Sequence, residues 1–579
     1  MLSFVVFDED TPGRAFDLRN AYLVGPDGIG IGTDVSQTDD GVIRCESVER
    51  ASAGLSLQVP LREIAQLKPR GTEREALPKL GDLSLRTCLL PARERPYLLS
   101  LELARHRIMF FLNKLEDWAL FDLPGDDPIM QQFELARQTF TRALVAEGSG
   151  GEEAPSGGHT VEADRLAWRA LVLAIDAGEQ LAIREASRDM PARLDGSTYA
   201  EAVRAYVSSS GEQPPANVPI IVQNSLGVTL PGRPVIGCSV SPARSSEALQ
   251  RIVAASCDFV HLPMRWIDLE PEEGSYSFAS TDRWIEWAVR KARLPVFAGP
   301  VIDFRTGDAP DWIYIWENDY ETLRELVYEH LKAIVTRYRR TVSRWTVASG
   351  LHVNSNFRMS YEQILDLTRL CVLLVKKLQP SAKVQIEIDE PWGEHYAVSR
   401  QSIPPVMYAD TVCQAGIPVD AFAVRLTMGV PRRGCATRDL MEISSILDRY
   451  AALERPIMVT ACGVPSVPRV APEGETFAEP GYWREPWSEQ MQSAWLANVT
   501  SVVLAKPFVH GLCWAGLADP PGAPAGLGLV GPTATAKPAL ERFAGIRRSM
   551  VEGQSWITVD SPAVHAAPSS QTTTDPITS

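Results

Sequence analysis

The chain has 579 residues, with 57 Lys and Arg against 72 Asp and Glu, a formal net charge of −15. A composition of 45% hydrophobic and 22% charged residues is that of a globular protein and excludes a disordered or fibrous one. The acidic balance, with no Lys/Arg-rich run, excludes phosphate-backbone binding by nucleic-acid readers, and no apolar run approaches the roughly 20 residues that span a bilayer. In chain order, residues 3–7, 21–24, 55–59, 83–90 and 97–103 read as short strands between turn clusters such as Pro26-Asp27-Gly28. Residues 1–125 are therefore expected to form a β-sandwich-like domain. The N-terminus lacks a basic region before its first strand, which gives a cytoplasmic expectation. Helical spacing then takes over in Phe133, Ala136, Phe140 and Leu144, and again in Trp168, Leu171, Ile175, Gly178 and Ala182. The pattern predicts a helical hairpin within 126–210, its arms joined by the Gly/Ser-rich stretch 148–158.

From residue 230 to 552 short apolar strands alternate with amphipathic helices. Strands are expected at 235–240, 259–262, 296–302, 344–348, 384–388, 421–426, 457–460 and 511–514, with helices such as 320–338 and 361–378 between them. Eight such units are the arithmetic of an α/β fold, the (β/α)8 TIM barrel. No GxGxxG follows any strand, so a dinucleotide cofactor has no support. The nine Cys are scattered without a CxxC pair and the eight His without HExxH, so no metal and no cofactor is expected. Residues 555–579 read as a disordered tail.

Several barrel segments carry a family resemblance. Met264, Arg265 and Trp266 are followed by Glu270-Pro271, Gly274, Tyr276 and Asp282; Pro310 and Trp312 follow strand three. Trp345-Thr-Val-Ala-Ser-Gly350 ends strand four, residues 419–425 form strand six, and Trp514 to Asp519 leads to Gly526-Leu527 and Lys537-Pro538-Ala539. In order and spacing these blocks resemble family 10 glycoside hydrolases, the xylanase-like barrels, and the extended layout is similar to a divergent group from planctomycete-type bacteria. The resemblance implies a (β/α)8 barrel that binds or hydrolyses a carbohydrate at O-glycosyl bonds. It also implies a Glu acid/base at the end of strand four and a Glu nucleophile in strand seven. Here those positions are Gly350 and Ala461. Neither side chain can move a proton or form a glycosyl ester, so both usual catalytic glutamates are missing.

Three readings follow. In the first, the barrel hydrolyses a glycan with relocated carboxylates: Asp389, Glu390 and Glu394 cluster after strand five, where barrel active sites open, and mutual repulsion separates the pKa values of neighbouring acids. In the second, it is a pseudo-enzyme that binds carbohydrate without cleaving it. In the third, the N-terminal 230 residues serve protein recognition. Candidate substrate-binding residues are Trp266, Trp392 and Trp514 as flat faces for sugar rings, and Asp303, Arg305, His352 and Arg425 as hydrogen-bonding groups. Arg425 inside a strand requires a nearby carboxylate, with Asp389 or Glu387 on the neighbouring strand the expected partner; Asp303 and Arg305 are expected to pair. The long segment after strand seven, near 465–490, is long enough to act as a lid. Cys462 in a strand-end Ala-Cys-Gly reads as a buried hydrophobe.

Overall fold

The computed structural model describes residues 2–8, 11–12, 18–38, 41–46, 51–68, 77–147, 158–198, 200, 222–223, 229–230, 233–468, 480–522 and 526–557. The glycine-rich connection between the hairpin arms, residues 469–479 of the segment after strand seven and the C-terminal tail from residue 558 lie outside them. The N-terminal region holds two four-stranded sheets. One runs Tyr97–Leu98, Leu2–Val5, Val42–Glu46, Asp34–Gln37; the other runs Gly30–Ile31, Arg19–Val24, Gly54–Pro60, Asp82–Arg86. Leu55, Leu57 and Val59 are fully buried, as are the Gln58 and Ser56 that alternate with them, so the Gly54–Pro60 strand is covered on both faces.

One element departs from expectation. The strand predicted at 97–103 stops at Leu98, and Leu99–Asp117 is a helix, α1. Its first residues, Leu99, Leu101 and Leu103, alternate as a strand would, but Ala104, Ile108 and Phe111 continue the apolar pattern at three- and four-residue steps. The hairpin follows as α2 (Pro128–Glu147) and α3 (Val161–Leu194), with Phe111 of α1 stacked on Phe133 of α2 at a ring-centroid distance of 4.0 Å. Thr160 caps α3 by accepting from the Ala163 amide. Inside the first turn, Asp164 is fully buried and accepts from Ser100 Oγ at 2.6 Å. Burial pushes its carboxyl up to about 7. The folded protein thus holds a proton that an unfolded Asp releases near pH 4, and the associated stability is full below that pH and lost as pH rises through 7. Asp164→Asn is expected to stabilise the fold by about 1–3 kcal/mol at pH 8 and by much less at pH 4. Thermal melts at the two pH values check this, and an equal shift at both would refute it.

The barrel strands are β1 (Val235–Ser239), β2 (Phe259–Leu262), β3 (Val296–Ala298), β4 (Val342–Ser349), β5 (Lys383–Ile388), β6 (Ala421–Thr427), β7 (Ile457–Gly463) and β8 (Val509–Trp514). All pair in parallel, and the sheet closes because β8 pairs with β1 while β3 pairs with β4. Strands such as Ala421-Phe-Ala-Val are apolar at every position because a barrel strand is covered by helices outside and side chains inside. The surrounding helices start on strong signals. Tyr361–Leu378 opens with a capping box between Ser360 and Gln363 and buries Ile364, Leu367, Cys371 and Val375 on one face.

The helices α1 and α3 pack directly on the barrel. Gly178 in α3 faces Met441 of the barrel helix Leu440–Ala451; a Cβ there would lie 2.7 Å from the Met441 sulfur, so a larger residue would push the Met441 side chain aside. Buried ion pairs line the seam. Lys506 contacts Glu185 at 2.9 Å and Asp448 at 2.7 Å, Arg107 contacts Asp439 at 2.8 Å, and Arg484 contacts Asp176 at 3.0 Å and Glu179 at 2.5 Å. The edge strand Asp82–Arg86 is also covered by barrel loops: Asp82 exchanges backbone hydrogen bonds with Tyr482, and the Ser84 amide donates to the Thr437 carbonyl. Among the described residues no helix is long and apolar enough to cross a membrane.

Candidate functional site

The C-terminal ends of the barrel strands converge on a layered polar cluster. Period-two alternation along β5 points Gln385 and Glu387 into the barrel, and Asp389 just beyond the strand continues that side. Gln385 donates to Thr346 of β4 and accepts from Arg344. One layer up, the Glu387 carboxylate accepts from Ser349 Oγ of β4 at 2.7 Å, Thr460 Oγ1 of β7 at 2.5 Å and Arg425 Nη1 of β6 at 3.3 Å. Above that, Asp389 accepts from Arg305 Nη1 at 3.1 Å, with Arg425 Nε and Arg432 Nη2 each 3.6 Å away. Arg305 also clamps Asp303, through Nε at 2.8 and 2.9 Å and through Nη2. Both expected pairings, Arg425 with the β5 carboxylates and Asp303 with Arg305, are present.

The electrostatics follow from this wiring. Burial raises the Asp389 carboxyl, but Arg305, Arg432 and Arg425 outweigh it and hold the group well below the usual carboxylate range. For Glu387, burial is likewise overcome by Arg425 and Arg305, with the Thr460 and Ser349 hydroxyls adding to the lowering. Both are carboxylates at neutral pH, with their lone pairs committed to donors. A general acid needs the opposite setting, a raised pKa and a proton to give.

The other candidates fall in different places. Glu390 is buried and accepts both 3.0 Å hydrogen bonds from Arg433 Nε. Glu394 is buried against Arg438, which also lies 4.0 Å from the Trp392 ring centroid. Trp392 is half-buried and lines a cavity of about 250 Å³, shared with Gly28, Pro405 and Arg449, between an N-terminal turn and the segments after β5. The structure therefore splits the 389–394 stretch: Asp389 joins the arginine layer, while Glu390 and Glu394 pair with separate arginines. His352 is fully buried, its Nε2 2.9 Å from the Asp389 carbonyl, and burial lowers its pKa to about 3. It is a neutral structural group and has no free face for a sugar.

Two tryptophans correct the expectation of stacking platforms. Trp266 is 1% exposed, donates to Glu270 Oε2 at 2.9 Å and stacks on His330 at 4.1 Å. Trp514 is fully buried and donates to the Leu527 carbonyl at 2.7 Å. Both rings face protein. Trp345, Trp483 and Trp487 are buried as well. The end of the expected lid is fastened: Trp483 Nε1 donates to Glu179 at 2.6 Å, and Arg484 pairs with the same helix. Burial pushes the Cys462 thiol well up, as suits a core residue.

Sequence reasoning missed Arg432 and Tyr314. The signal for Arg432 is the Arg-Arg pair in the loop directly after β6, a position that faces the mouth of any barrel. Tyr314 stacks on Phe357 at 5.2 Å, and Phe357 packs on Phe304 beside Arg305. The two positions where the resemblance expects catalytic glutamates both have positive φ, 61° at Gly350, where glycine adopts it freely, and 45° at Ala461. Ala461 is a non-glycine residue in the left-handed region, a placement concentrated at functional sites.

Residues 232–368 match the model of glycosyl hydrolase family 10. Similar solved structures include xylanase 10B from Thermotoga petrophila RKU-1 in complex with xylobiose, 16% identical, covering 56% of this chain and 95% of that one with a TM-score of 0.41. Native xylanase 10B from Thermotoga maritima is 17% identical, with coverage of 56% and 97% and a TM-score of 0.41. A GH10 endoxylanase retrieved from a sugarcane soil metagenome is 15% identical, with coverage of 54% and 96% and a TM-score of 0.43. The family match lies inside a closed, all-parallel eight-stranded sheet ringed by helices, so the chain carries a TIM barrel of which residues 232–368 are similar to glycosyl hydrolase family 10.

Proposed function

We propose that the barrel binds a carbohydrate at its mouth without hydrolysing it. The family match over residues 232–368 supports a sugar as the ligand class. The observation that carries the loss of chemistry is the neutralisation of the mouth carboxylates: Asp303, Asp389 and Glu387 each face an arginine, while Gly350 and Ala461 stand at the positions of the usual acid and nucleophile. Retaining hydrolysis needs two carboxyl groups about 5–5.5 Å apart, one of them protonated and the other free to attack the anomeric carbon. Glu387 and Asp389, held ionised by guanidiniums, supply neither role, and Asp303, whose carboxyl burial raises, is clamped by Arg305.

The expected result is no turnover of aryl xylosides or soluble xylan by the full chain, measured by reducing-sugar release over long incubations. Turnover that Glu390→Gln or Glu394→Gln abolishes would overturn this reading in favour of relocated catalytic carboxylates. Calorimetric titration with oligosaccharides tests the binding half, and silence across neutral and acidic sugars would remove it.

A further inference from the structure

We propose that the sugar recognised at the mouth is an acidic one, a uronate-bearing oligosaccharide whose carboxylate is received by Arg425 and Arg432. This rests on the carbohydrate-binding reading above and narrows it to a ligand class. The argument starts from the vertical order of the charges. The carboxylate side chains of Asp303, Glu387 and Asp389 are only 4%, 4% and 7% exposed, whereas Arg305, Arg425 and Arg432 are 16%, 20% and 39% exposed. The acids form the floor and the guanidiniums the surface that a ligand meets.

That surface offers donors. Neutral sugar hydroxyls are best held by a mixture of donors and acceptors, and here the floor carboxylates that accept are already engaged by Ser349, Thr460 and the arginines. Arg305 is spent, with Nε and Nη2 on Asp303 and Nη1 on Asp389. Arg425 is not: its Nε is buried with no hydrogen-bond partner among the described residues, since Asp389 lies 3.6 Å off. Arg432 stands at the same 3.6 Å from Asp389 and is the most exposed of the three. The exposed parts of the Arg425 and Arg432 guanidiniums can give an incoming carboxylate oxygen charge-assisted bonds. The planar fork of arginine suits a carboxylate in two-point contact.

The test is calorimetric titration of the full chain with trigalacturonic acid, xylotriose and sodium sulfate at matched ionic strength, repeated with Arg432→Gln. The expected result is binding of trigalacturonic acid at least about tenfold tighter than xylotriose, weakened about tenfold or more in the variant and by added salt. Arg432 is the most solvent-exposed of the three arginines, and an unchanged melting temperature certifies the variant; the wild-type ligand series is decisive even where the variant misfolds. Equal binding of the neutral and acidic trisaccharides would overturn the acidic preference and leave the carbohydrate reading standing. Binding of neither trisaccharide would overturn both. Sulfate binding as tightly as trigalacturonic acid would mark a bare anion site and overturn the proposal.

Discussion

Replacing Lys506 by Met is expected to cost about 3–5 kcal/mol of stability, read as a lowered urea midpoint at pH 7. The side chain is 4% exposed and its ammonium is the shared partner of Glu185 from α3 and Asp448 from the barrel helix. Methionine has the volume but no charge, so two carboxylates remain in a desolvated seam. Asp448 keeps Lys114 at 3.3 Å and the Trp118 indole at 2.9 Å, while among the described residues Glu185 keeps the Ser444 hydroxyl at 3.3 Å. The penalty should therefore fall mainly on Glu185, and adding Glu185→Leu to the same chain should recover much of the loss. A single-variant cost below about 1 kcal/mol would show that water enters the seam and that the two units are held by apolar contacts alone.

The second large effect is expected at the mouth. Asp389→Asn leaves Arg305, Arg425 and Arg432 converging on a neutral amide and should cost about 3 kcal/mol at pH 7. The pH dependence distinguishes this from simple loss of packing. Because the arginines hold the folded Asp389 carboxyl well below its unfolded value near 4, its contribution is complete above that pH and is lost as pH falls further. The gap between wild type and Asp389→Asn should accordingly stay constant from pH 7 to about 5 and narrow below 4. Denaturant midpoints across pH 3–7 measure it, and a gap that widens in acid would contradict the assignment of the charge.

The barrel was legible in the sequence because short, largely apolar strands alternate with amphipathic helices that repeat at 3.6 residues, patterns that local chemistry alone writes. Charge pairing inside it was partly legible for the same reason: alternation puts Glu387 and Asp389 on one side of β5, and a strand-borne Arg425 needs such a partner. Helix α1 was not. Its buried face carries Glu102, His106, Arg107 and Lys114 among the apolar residues, which blurs the helical stripe. Two of those charges are explained only by the fold, since Arg107 meets Asp439 and Lys114 meets Asp448 across more than three hundred residues of chain. The tryptophans failed for a related reason. A Trp near a strand end has two directions to point, and Trp266 turns to Glu270 and His330 while Trp514 turns to Leu527. Nothing in the local sequence selects between those directions and the mouth.

The covered edge of the N-terminal sheet has a consequence for how the chain avoids pairing with a second copy. A free strand edge is a template for pairing with another copy, and Asp82–Arg86 would be one, were its outer hydrogen-bonding groups not taken by Tyr482 and Thr437. The peptide that blunts it belongs to the barrel, as do the partners that neutralise Glu179 and Glu185 on α3. Protection from edge-to-edge pairing is thus supplied within the chain, by one unit to the other. The change of pattern near residue 230 looks like a boundary where the chain might be cut, yet the piece before it owes its inertness to the piece after it.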